Sequence, residues 1–137
     1  MRTFFDSSAF AKRYIEEPGS QSVESLCMAA TDLALSILYI PEIISALNRR
    51  MREGALSQQD YEEAKRRLSE DVEDAAIINL TPSVISACTT ILEARPVRAL
   101  DALHIACALG WEAKLFVSAD KRQIAAARQA GLRVEIV

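Results

Sequence analysis

Short apolar runs alternate with amphipathic helical stretches along the whole chain, and that order leaves few architectures open. Thr3–Asp6, Leu33–Ile37, Ala76–Leu80 and Leu115–Ser118 read as short buried strands, and Leu132–Val137 alternates as a half-buried edge strand does. Helical stripes lie between them. From Ser7 to near Pro18-Gly19, Phe10, Ala11, Tyr14 and Ile15 share one face, and Val23, Leu26, Cys27 and Ala30 mark a second helix. Pro41 suits the first turn of a third helix, where its missing N–H costs nothing, with Ile43, Leu47 and Met51 as its stripe and Gly54 at its end. Ser57 and Asp60 resemble a helix start before Tyr61, Ala64, Leu68 and Val72, and Thr81-Pro82 opens a further helix through Ile85, Cys88 and Leu92. Leu100–Trp111 is apolar on nearly every side and predicts a buried helix. Asp120–Ala130 is the last helix, with Gly131 placed to end it. Strand and helix taking turns predict an α/β fold with a parallel sheet covered on both faces. The turn around Arg52–Ser57 reads as the tip of a protruding hairpin.

A chain of 137 residues, half of them apolar, suits a single domain spanning 1–137 with one packed core. Charges interrupt every apolar run well short of the roughly 18 residues a membrane helix needs, and Asp6 falls where a signal peptide has its apolar centre. The expectation is a cytoplasmic protein with no membrane partner. Cys27, Cys88 and Cys107 form no CxxC pair and sit among apolar residues, as buried side chains do. The net charge of −3 speaks against a nucleic-acid binder. The basic residues nevertheless come in groups: Arg49, Arg50 and Arg52; Lys65, Arg66 and Arg67; Arg95 and Arg98; Lys121 and Arg122. Each group is either a solvated helix face or a phosphate contact. Lys12 and Arg13 read as an exposed, solvated face, and Trp111 as packing.

Four carboxylates stand where chain direction changes. Asp6 follows the first strand, Asp120 follows the fourth by two residues, and Glu42 and Asp101 lie in the first turns of two helices. Singly, each is explained as a helix cap. Together they are more constrained, because a parallel sheet brings the carboxyl ends of its strands and the starts of its helices to one edge. Carboxylates crowded there repel unless one takes up a proton or a cation joins them. Oxygen ligands select hard cations such as Mg²⁺ or Mn²⁺. An acid pair after the first strand, a DxD motif, a phosphate-binding glycine loop and a GxGxxG cluster are all missing, which sets aside receiver, dehalogenase-like and nucleotide-cofactor folds.

FFDSSAFAKRYIEEPGS (Phe4–Ser20), PEIISALNRR (Pro41–Arg50), RALDALHIACAL (Arg98–Leu109) and FVSADKR (Phe116–Arg122) together resemble the motifs of PIN domains, in order along the whole chain. The likeness is to the VapC-type toxins of prokaryotic toxin–antitoxin pairs in particular. The resemblance implies a three-layer α/β/α fold with a five-stranded parallel sheet. It implies an endoribonuclease that depends on Mg²⁺ or Mn²⁺ and leaves a 3′-hydroxyl and a 5′-phosphate. The family's acidic set falls on Asp6, Glu42, Asp101 and Asp120, with Asp6 and Asp101 as direct metal ligands, Asp120 a ligand directly or through water, and Glu42 orienting water or binding a second ion. Ser118 is either a hydrogen-bond partner of this set or a plain strand-end hydroxyl. Ser7 is expected to cap or pack. His104 is expected to pack or to sit behind a ligand rather than to be one. Arg95, Arg98, Lys121 and Arg122 are the candidates to meet RNA phosphates. The resemblance further implies a cognate antitoxin, whose tail covers the site and can place a basic side chain among the acids, and a homodimer. Leu38–Ile40 serves either packing or that interface. The alternative reading is a non-catalytic module that binds RNA or a protein.

Overall fold

The computed structural model describes residues Met1–Val137. Five strands, β1 (Arg2–Phe5), β2 (Asp32–Ser36), β3 (Ala76–Ile78), β4 (Leu115–Ser118) and β5 (Val134–Ile136), form one parallel sheet in the order β3-β2-β1-β4-β5. Helices α1 (Ser7–Phe10), α2 (Ser20–Ala29), α3 (Tyr39–Arg52) and α4 (Gln58–Asp74) cover one face, and α5 (Pro82–Ala94), α6 (Ala99–Gly110) and α7 (Lys121–Gln129) the other. The layers follow from the period-two alternation of a strand. Phe4 joins the core beneath α5–α7, and Phe5, the next residue, joins the core beneath α1–α4. Phe4 also stacks on Phe116 of β4, with ring centroids 5.8 Å apart.

The chain turns back on its own strand order between β1 and β4. At such a switch point the connections leave toward opposite faces and open a crevice beyond the carboxyl ends of the strands. Asp6 lies directly beyond β1, and Ser118 ends β4. The helix starts that reach this edge form for local reasons. Asp6 accepts the Ala9 N–H, Thr81 accepts that of Val84, and Asp120 accepts those of Arg122 and Gln123. Gly131, at φ +100°, takes the left-handed conformation that lets the chain leave α7.

Three local expectations are corrected. The helix from Ser7 does not reach Pro18: α1 ends at Phe10, and Ala11–Arg13 form a 3₁₀ turn. The side chains of that turn are drawn toward α4, where the Tyr14 hydroxyl and the Arg13 guanidinium bond Asp71 at 2.6 and 3.0 Å. Lys12 and Arg13 are accordingly not solvated: their side chains are 11% and 19% exposed, paired with Glu17 and with Asp71 and Glu24. The hairpin of α3 and α4 is no free excursion, since Tyr61, Ala64 and Leu68 are buried in the same core as Leu47, while the charged face of α4 and the turn at the tip stay exposed. Of Leu38–Ile40, Tyr39 is fully buried and meets Phe10 edge-on. No helix is long and apolar enough to cross a membrane.

Candidate active site

Asp6 is 1% exposed, and neutral donors surround it. The Ser118 hydroxyl donates to Oδ2 at 2.6 Å, the Ser8 hydroxyl lies 2.8 and 2.9 Å from its two oxygens, and the Ala9 N–H donates to Oδ1 at 2.9 Å. Burial pushes the Asp6 carboxyl above its ordinary range, and these donors offset only part of that. Both serines reach beyond Asp6. Ser8 accepts the Ala119 N–H at 3.0 Å and Ser118 accepts that of Asp120 at 3.0 Å, so one hydroxyl layer ties the end of β1 to the start of α7.

Glu42, in the first turn of α3, is held from α6 and α1. His104 Nε2 lies 2.5 Å from its Oε1, and the Ser7 hydroxyl donates to the same oxygen at 2.8 Å. Burial raises the Glu42 carboxyl, but the His104 bond and charge, with Ser7 and Arg98, outweigh it and leave the group below its usual value. His104 is 2% exposed, and its Nδ1 has no partner. Nε2 is the ring nitrogen that faces Glu42, so the hydrogen of that bond sits on Nε2.

Asp101 and Asp120 form a more open half. The Arg98 guanidinium donates to Asp101 at 3.1 Å and lies 3.9 Å from Asp120. Gln123, buried in α7, donates to the Asp101 carbonyl at 3.1 Å and so fixes the start of α6 against α7. A cleft of ≈ 730 Å³ opens beside these acids, lined by Pro96, Val97, Arg98, Asp101, Asp120, Lys121 and Arg122. Arg95 lines its neighbour together with Lys121 and Arg122, so all four basic candidates lie along these two clefts. On the other side a second cleft runs from Ser7, Ser8 and Glu42 to Arg49 and Arg50, and Arg98 lines it too.

The donor set can be weighed against a divalent cation. All four acids are oxygen donors from separate elements, which is the chemistry of a hard ion. The open half already gathers positive charge, in the form of Arg98. As the side chains stand, no three His, Cys, Asp or Glu groups are arranged to hold an ion together. The residues fit such an ion in chemistry, but as they stand they are not gathered around one point.

Ser8 and Gln123 are site residues that the sequence reading missed, and Ser7 does more than cap. Each left a trace. Ser8 stands two residues after Asp6, a spacing at which side chains bond locally. Asp120 and Gln123 have the spacing of a capping box, but the Gln123 amide turns to Asp101 instead of returning to the cap.

A family model described as PIN domain matches residues 3–129. Two curated relatives, ribonucleases VapC45 and VapC49 of Mycobacterium tuberculosis, are 33% identical over 134 residues, covering 96% of this chain and 92% of theirs. Among solved structures, VapBC2 from Rickettsia felis, bound to a promoter DNA fragment, superposes with a TM-score of 0.71 at 14% identity over 100% of this chain and 99% of that one. VapC20 of Mycobacterium tuberculosis, described as a sarcin-ricin loop cleaving toxin, gives 0.69 at 18% identity over 95% of each chain.

Proposed function

The chain belongs to the PIN domain family, and we propose that it is a metal-dependent endoribonuclease, the toxin of a toxin–antitoxin pair, acting as one unit over residues 1–137. The observation that carries this reading is the joining of Asp6, Glu42, Asp101 and Asp120 to one hydrogen-bonded and ion-paired edge of the sheet. The names of the two ribonuclease relatives support the activity, and the toxin–antitoxin complexes among the similar folds support a cognate antitoxin as partner. A second copy of the chain is a further partner, and the cytoplasm is the place of action.

Asp6, Asp101 and Asp120 would hold the ion, Mg²⁺ or Mn²⁺, and Glu42 would orient water or bind a second ion. When bound, such an ion polarises a phosphoryl oxygen and makes hydroxide available near neutral pH. The protein's own part is positioning. Ser8 and Ser118 fix the direction of Asp6, and burial makes its negative charge costly enough to favour a cation beside it. His104 and Ser7 leave Glu42 one orientation. Arg95, Arg98, Lys121 and Arg122 meet phosphates of the strand, and the products carry a 3′-hydroxyl and a 5′-phosphate.

A binding module without catalysis is the competing reading, favoured by the fact that no three donors are arranged for an ion. Incubation of partner-free protein with cellular RNA separates the two. Cleavage that needs Mg²⁺ or Mn²⁺, stops with EDTA and is lost in Asp6→Asn is the expected result. Intact RNA under every condition, with no metal binding by calorimetry, leaves the binding module.

A further inference from the structure

We propose that Arg98 is a built-in competitor of the catalytic cation: its guanidinium serves as counter-ion to Asp101 and Asp120 and must leave before a divalent ion can bind them. The inference rests on the reading of these two acids as metal ligands. Arg98 is the N-cap residue of α6, and its side chain caps nothing there. It reaches one acid on its own helix, at 3.1 Å, and one from the connection before α7, at 3.9 Å. A side chain that serves only local helix stability pairs along its own helix; this one also spans two elements, as a shared ion would.

Arginine cannot give up its proton at any ordinary pH, so the only way to remove this charge is to move it. The side chain is 80% exposed, which makes the move possible without disturbing the core. The two clefts that Arg98 lines give it space on either side of the acids. The metal-free site is therefore self-neutralised, and the apparent metal affinity is the intrinsic affinity reduced by the cost of breaking these contacts. Exposed ion pairs are worth little, which sets the size of the effect at about two- to fivefold. Salt screens the contact, so the effect shrinks as ionic strength rises.

The test is a Mn²⁺ titration of the metal-free full chain by calorimetry, comparing wild type, Arg98→Gln and Arg66→Gln. The proposal expects Arg98→Gln to bind Mn²⁺ about two- to fivefold more tightly at low salt, with the gain fading near ~0.5 M salt. Arg66→Gln, whose guanidinium pairs with Glu63 and Glu70 within α4 and not with these acids, should bind as wild type does. A double-mutant cycle adds a second readout: in an Asp101→Asn background the gain from Arg98→Gln should largely vanish. Equal or weaker binding by Arg98→Gln, with Mn²⁺ still bound by wild type, overturns the role of Arg98 alone. Mn²⁺ bound by none of these proteins overturns the metal-site reading and this inference with it.

Discussion

The two halves of the acidic edge manage the same chemical problem in opposite ways. In the deep half, Asp6 is 1% exposed and is held by uncharged donors from Ser8, Ser118 and the Ala9 amide. In the open half, the side chains of Asp101 and Asp120 are 13% and 31% exposed and face a guanidinium. Neutral donors fix geometry but leave a buried charge costly. A cation neutralises, but an exposed one can be displaced. The deep half thus fixes geometry through neutral donors, and the open half balances charge through an exposed cation. Substitutions in the deep half should move stability and activity together, while those in the open half should move activity with little change in stability.

The largest effect to look for is on RNA cleavage. Asp6→Asn and Asp101→Asn should each lower the metal-dependent rate by about a thousandfold or more, since the loss of a ligand removes several kcal/mol of transition-state stabilisation. Thermal melting of the same proteins separates the halves: Asp101→Asn keeps the side chain's shape, loses one ion pair with an exposed arginine, and stays within about 1 kcal/mol of wild type. Ser118→Ala comes next. It removes the 2.6 Å bond to a buried carboxylate and the acceptor of the Asp120 N–H. A loss of about 1.5–3 kcal/mol is expected, read by denaturant unfolding.

The pH dependence of stability sharpens the contrast. The Asp6 carboxyl is raised in the folded protein, so the unfolded chain gives up its proton first and stability falls as pH rises above the ordinary Asp range. Asp6→Asn should therefore gain on wild type as pH rises from about 3 toward neutrality, in melts of the metal-free protein. Glu42 has the opposite sign: its lowered value contributes stability that is present at neutral pH and is lost on acidification through the carboxylate range. The smallest effect belongs to the rim of the open half. Lys121→Gln and Arg122→Gln should weaken RNA binding a few-fold and each reduce the slope of affinity against salt by about 1.

The sheet and most of the helices were legible because their signals are local. Short apolar runs gave four of the strands, alternation gave the edge strand, and an all-apolar stretch gave α6, in which Ala102 and His104–Ala108 are buried. The first helix was misjudged because its end is set by tertiary bonds from Tyr14 and Arg13 to Asp71, which no local pattern encodes. The four acids could be read from their positions beside strand ends and helix starts. Their partners could not. Ser8, Ser7 and Gln123 are ordinary in the sequence, and they matter through residues as far away as Ser118, Glu42 and Asp101. His104 was readable as a packed residue, but not that its Nε2 faces Glu42.

The central claim is that acids from four separate elements form one cation site, and a Mn²⁺ titration of wild type and of Asp6→Asn, Glu42→Gln, Asp101→Asn and Asp120→Asn tests it most directly. The account predicts saturable binding to wild type, lost or clearly weakened by Asp6→Asn and Asp101→Asn and reduced by the other two. Absence of binding to wild type, or affinity unchanged when Asp6 or Asp101 is neutralised, would contradict it.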